Sequence, residues 1–347
     1  YEKYYEYSVD IDPNHFNVGD NYIVDKREAT VSLRNGKRET VTWYQFRVPI
    51  SQGKPVGGIN DVSSIRFMRM YMAGFEEPTV LRLASLDLVR GDWRVYDQRI
   101  KGASANPTAQ FTTSAINIEE NNDKKPVNYV LPPGISRVVD PSQPQLTENN
   151  EQAMRFDIDN MSHGDAVAVY KNAAYDMRYY NRLQMFVHAN ALEQNVTNLQ
   201  NGQLALFVRI GSDYNNNFYE YEIPLSLTAP GTYNTYSVAD CRAVWPEANM
   251  LDINLKKLTA LKKERNRKKA IGLASFNAIY SEYDSDNQSN KLSIVGNPSL
   301  GEVKVLMIGV RNNSPEVKAG EVWVNELRML EPESDGGWAA AANLNVQ

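Results

Sequence analysis

An all-β chain is predicted: two tandem β-sandwich units, jelly-roll-like, joined by a Pro-rich connector, with one short basic helix. Three observations carry this. Apolar residues recur with period two along most of the chain, the pattern of a half-buried strand. Tyrosines outnumber phenylalanines 20 to 10, which suits strands whose rings pack inward while the hydroxyls stay wet. An octapeptide also recurs in outline, WYQFRVPI from position 43 and FYEYEIPL from position 218.

At 347 residues the chain has room for about two domains of roughly 100–200 residues each. The expected organisation is a first sandwich over 1–100, a connector over 101–150, a second sandwich over 151–335 and a barrel strand beginning in 336–347. Residues 29–48 read as a hairpin, because Asn35-Gly36 accepts the positive φ that a two-residue loop needs. SIRFMRMYMA (64–73) is apolar on both faces and reads as a central, doubly covered strand. In VLRLASLDLV (80–89) the phase slips between Leu83 and Leu86, which predicts a bulge near Ala84–Ser85. Six of the 16 prolines fall in 101–150. Proline removes ladder donors, so that stretch is expected outside both cores, with at most short strands such as FTTSAINI. New alternating runs follow from MRFDIDN onward. Each octapeptide is followed by an apolar strand, a turn and a strand carrying arginine. The shared order reads as duplication of one unit; aromatic-rich edge strands ending in proline would also look alike without it.

NLKKLTALKKERNRKK (254–269) is the one helical stretch, with Leu255, Leu258 and Leu261 on one face and eight basic residues against the single acid Glu264. A docked helix with a solvated basic face is the plainer reading, and a surface for an acidic partner the sharper one.

Chemistry is sparse. Net charge is −5, so nothing global points to nucleic acid or an anionic membrane. The single cysteine, Cys241, rules out an internal disulfide and a thiolate metal cage. The histidines are His15, His163 and His188. In NMSHGDA, Ser162, His163 and Asp165 sit too close in sequence for a catalytic triad, so a solvated turn is expected. His188 shares a strand face with Phe186 and reads as a packing residue. SEYDSDNQSN offers oxygens at Asp284, Asp286 and Gln288, but Ser289 and Val295 stand where a calcium loop needs Gly and an acid. GSDYNNNFYEY reads as an Asn-rich turn opening a strand; the alternative is a sugar-binding rim using Tyr214 and Tyr219. No catalytic, cofactor-binding or metal-ligating residue is assigned.

Longer blocks carry a resemblance. VGGINDVSSIRFMRMYMAGFEEPTVLRLASLDLVRGDWRVY (56–96), NYVLPPGISR (128–137), IGSDYNNNFYEYEIPL (210–225) and the run from GNPSLGEVKVLMIGVRN to GEVWVNELRM (296–329) resemble the SprA family, also called Sov. The resemblance implies a piece of the giant outer-membrane β-barrel translocon of the type IX secretion system of Bacteroidota, which also serves gliding motility. It implies no catalytic residues, and as partners the rest of the barrel, other secretion components and secreted cargo. The chain begins at Tyr1 inside a strand-like run and ends in mid-pattern, so it reads as a piece, and the resemblance implies the extramembrane part of an outer-membrane, cell-surface protein, monomeric as a fragment. A carbohydrate-binding or adhesive surface module is the alternative. WAAAANLNVQ alternates apolar and polar faces over about the length of a tilted membrane strand, so Trp338–Gln347 is expected to begin one, with Leu344 toward lipid.

Overall fold

The computed structural model describes residues 3–12, 16–32, 36–59, 67–75, 78–86, 93–137 and 150–333. His15, the Asn35 loop residue and the expected membrane strand at Trp338–Gln347 lie outside the described residues. Strand makes up 41% of the described residues against 9% helix, so the all-β class with sandwich-like sheets is as predicted. Two units are distinguished, Tyr1–Leu86 and Asp87–Gln347.

In the smaller unit, β1 (Tyr4–Glu6) pairs with β4 (Lys54–Val56), and β2 (Ile23–Ser32) with β3 (Arg38–Phe46). The β2–β3 ladder is the predicted hairpin, but the two-residue loop is corrected: Ser32 pairs with Arg38, a register that leaves an odd number of residues in the loop, and Gly36 takes φ +80°. Tyr44, from the first octapeptide, packs its ring 4.7 Å from that of Phe16. The expected strand at 64–73 is corrected: residues 67–75 form no strand, and Phe67 and Tyr71 are 64% and 73% exposed. The expected bulge near Ala84–Ser85 is corrected too, since 78–86 forms no ladder in which a residue could be extra. Apolar alternation specifies a strand only where a neighbour offers hydrogen bonds and a covered face. Among the described residues, neither run joins a ladder with the two-stranded ribbons of this unit.

The larger unit is a sandwich of antiparallel sheets. Its strands are β5 (Arg94–Val95), β6 (Gln110–Asn117), β7 (Gln152–Met161), β8 (Ala166–Tyr175), β9 (Tyr180–Asn190), β10 (Leu204–Gly211), β11 (Phe218–Pro224), β12 (Leu251–Asn254), β13 (Tyr280–Tyr283), β14 (Lys291–Val295), β15 (Val303–Asn312) and β16 (Lys318–Pro332). One sheet runs β13-β14-β11-β10-β15-β8-β5 and the other β12-β9-β16-β7-β6. Between them lies the core, where Leu206, Val208, Tyr219, Tyr221 and Ile308 meet Phe156, Met185, Val187, Val322 and Val324.

Both outer faces are covered as well. Ile100, with Tyr96 and Ala103, lies on Ala166, Ala168, Phe207 and Met307 of the seven-stranded sheet. On the other side, Val127, Tyr129 and Val130 lie with helix α1 (Val238–Val244) and Trp245 over Ile116, Phe186 and Trp323. Residues 101–137 are therefore no connector outside the cores. They supply strand β6 and part of a covering layer. Proline stops this chain from joining a ladder, but Asn128 substitutes for one, donating to the carbonyl of Tyr233 at 2.8 Å and accepting from its N–H at 2.7 Å. Covering also explains why all eight residues of β10 are buried: period two remains in the direction of the side chains, not in their exposure.

The predicted helix forms as α2 (Leu255–Ala270), begun by Asn254, whose side chain accepts from the N–H of Lys256 at 3.0 Å. Leu255, Leu258 and Leu261 are buried in the sandwich core, with the helix packed along β9, β12 and β14. It thus closes one edge of the sandwich. Helix α1 escaped sequence reading, although Ser237 and Asp240 form the S-x-x-D start signal and Ser237 caps the N–H of Asp240. Its seven residues bury only Cys241 and Val244, too few to show a period.

Candidate functional site

The alternation of FYEYEIP determines the site. Tyr219, Tyr221 and Ile223 point into the core, so Phe218, Glu220 and Glu222 point to the opposite face of the sheet. Ladder register then places Ser281, Ser293, Glu220 and Arg209 in one row across β13, β14, β11 and β10. Lys291 stands opposite Glu222 in the next row, and Arg311 reaches in from β15.

These groups form a buried ionic cluster. Arg209 is 0% exposed; its Nε donates to Glu220 at 2.6 Å, its Nη1 to the carbonyl of Tyr214 at 3.0 Å, and its guanidinium lies 4.1 Å from the Phe218 ring centre. Arg311 donates from Nη1 to Glu220 at 3.3 Å and pairs with Glu222, while its guanidinium lies over Phe207. Lys291 Nζ is 3.0 Å from Glu222. Gly309 makes room here, because a Cβ would strike the Phe207 ring and the Val167 carbonyl. Burial pushes the Glu220 carboxyl up, but Arg209 and Arg311 beside it outweigh this and hold it below the ordinary value. Over the cluster lies a cleft of about 280 Å³ lined by Glu220, Lys291, Arg311, Ser281, Ser293 and His163, among others.

His163 is in a turn, as expected, and hydrogen-bonds through Nδ1 to the carbonyl oxygen of Ser314 at 2.8 Å. His188 packs as expected: it is fully buried, stacked 3.8 Å from Trp323, with Val244 O at 2.6 Å and Asn190 Oδ1 at 2.8 Å. Burial pulls its pKa down to about 4, against both of those hydrogen bonds. Next to it Glu321 is held by Lys124 at 2.9 Å and Arg155 at 3.1 Å. Asp284 and Asp286 both pair with Lys257, so a cation already sits between these oxygens. No group of three or more potential metal ligands occurs among the described residues. The Asn-rich turn is as expected: Asp213 Oδ1 accepts the N–H of Asn215 at 2.9 Å and of Asn217 at 3.0 Å. Its tyrosines make no sugar rim. Tyr219 is buried and reaches Pro298 O, and Tyr214 packs between Tyr96 and Tyr170 with its hydroxyl on Asn172. The ionic cluster itself was missed; the one signal was acids alternating with aromatics on β11 opposite arginine-bearing β10 and β15.

No curated protein matches this chain. A solved structure titled "Structural analysis of an exo-beta-agarase" is similar over 67% of this chain at 8% identity and a TM-score of 0.30. The chain spans 24% of that protein's length, and a likeness at this level carries no argument. The family model SprA_N, described as "Motility related/secretion protein", matches residues 1–347. With the whole chain matched, this protein belongs to the SprA_N family of motility-related and secretion proteins.

Proposed function

We propose that the chain is a non-catalytic structural module of the type IX secretion translocon, shaping the mouth of its outer-membrane barrel during protein export. Family membership supports a secretion and motility role. The observation that carries the finer reading is the double covering of the sandwich. Both outer faces are packed by the chain's own segments, which makes a thick, rigid body, suited to walling a wide pore. The candidate chemical groups serve that body: His188, Glu321, Asp284 and Asp286 are all engaged in packing or ion pairs. The partners in this reading are the barrel, other secretion components and passing cargo, and the place is the cell envelope outside the membrane core. No described helix is long and apolar enough to cross a membrane, which says nothing of a barrel.

Secretion assays in cells test it. Deleting the sandwich, residues 94–332, is expected to stop export of type IX cargo or make the outer membrane leaky. His163→Ala and Asp286→Ala are expected to leave export intact. A point variant that folds normally yet blocks export would overturn the structural reading.

A further inference from the structure

The cleft on the outer face of the seven-stranded sheet is built like a binding site. Three cations, Arg209, Arg311 and Lys291, face two carboxylates, Glu220 and Glu222. The four buried members balance, and the extra positive charge is that of Lys291, whose side chain is 33% exposed at the mouth of the cleft. Arg311, which lines the cleft, has a buried Nε with no hydrogen-bond partner. A buried donor left unpaired is unfavourable. Both features point to an anionic guest.

The rest of the lining narrows its chemistry. Ser281 and Ser293 hydrogen-bond each other at 2.8 Å, and each hydroxyl keeps further bonding capacity toward the cleft that both line. Glu220, held ionised by its arginines, lines the same space and can accept from hydroxyls while repelling a multiply charged anion. Ile279, at 40% exposure, provides one apolar wall. Asn312 is not available, since its amide donates to the carbonyls of Met161 and Glu316. The volume of about 280 Å³ is at the low end for small-molecule pockets and suits one sugar ring rather than a bare inorganic ion.

We propose that this cleft binds a singly charged, hydroxylated molecule of monosaccharide size, a sugar acid. Its carboxylate faces Arg311 and Lys291, its hydroxyls meet Ser281, Ser293 and Glu220, and its apolar face lies on Ile279. This goes beyond the secretion reading and rests on the cleft alone, so either can fail without the other.

Calorimetric titration of the full chain with sodium glucuronate tests it, with glucose and sodium sulfate in parallel at constant ionic strength. The expected result is saturable binding of one glucuronate, at least tenfold tighter than glucose or sulfate. Lys291→Gln, at the half-exposed mouth, is expected to weaken it tenfold or more, and Ile279→Trp to abolish it by filling the cleft. Circular dichroism verifies folding, and Ser281→Ala replaces whichever variant does not fold, with a smaller loss expected. The proposal is overturned by no saturable glucuronate binding, by glucose or sulfate binding equally well, or by folded variants that bind like the parent.

Discussion

Replacing Glu220 with Gln keeps the shape of the side chain and removes one charge from the centre of the ionic cluster. Glu220 is 4% exposed and takes Arg209 Nε at 2.6 Å and Arg311 Nη1 at 3.3 Å. In the variant, Glu222 alone would face Arg209, Arg311 and Lys291. The Phe218 ring and the Tyr214 carbonyl support Arg209 without neutralising it. Breaking a buried pair from one side costs about 3–5 kcal/mol. At roughly 1.4 kcal/mol per decade, that is two to four orders of magnitude in the folding equilibrium. Urea unfolding at pH 7, followed by the fluorescence of Trp245 and Trp323, measures it. Glu264→Gln is the control, because its pair with Arg267 lies on the helix surface, and its midpoint is expected to stay put. Acid adds a second readout. The Glu220 carboxyl is lowered in the folded chain from its ordinary 4.5, so the pair's contribution is complete above that value and is lost as pH falls through the folded value. The gap between parent and variant should therefore hold at neutral pH and close in acid. A loss below about 1 kcal/mol, the range of exposed pairs, or a gap unchanged in acid, would refute the reasoning.

Leu258→Ala on the edge-closing helix is expected to cost about 2–5 kcal/mol in the same unfolding assay, since Leu258 is 1% exposed in the main core. Asn254→Ala removes the cap of that helix and should cost about 1 kcal/mol. Gly309→Ala drives a methyl into the Phe207 ring and Val167 carbonyl, and a loss of about 1–3 kcal/mol or more is expected. Millimolar calcium should leave the melting temperature of the parent chain unchanged, because Lys257 already occupies the space between Asp284 and Asp286; a rise in the melting curve would contradict that assignment.

Much of the architecture is local, and the sequence shows it. Asn35-Gly36 announces the β2–β3 hairpin, and Asn254 with three leucines announces α2, because turn and helix preferences act over a few residues. The turn at His163 and the Asn-rich turn before β11 are legible for the same reason, and the packing of His188 follows from the strand face it shares with Phe186. SIRFMRMYMA shows the opposite case: its pattern is as strand-like as that of β15, yet β15 finds β8 and β10 beside it while residues 67–75 form no strand. Pro126, Pro132 and Pro133 correctly signal chain outside a ladder, but could not say that Val127, Tyr129 and Val130 would lie on a sheet's outer face. The ionic cleft is the least local feature. Arg209, Glu220, Lys291 and Arg311 come from four strands, and only the register of those strands brings them together. By itself the sequence determined the strand-forming class, the capped helix and the alternating directions of the side chains, since these depend on neighbours along the chain. Tertiary structure alone decided which faces are covered and which charges meet, because burial and ion pairing depend on segments far apart in the chain.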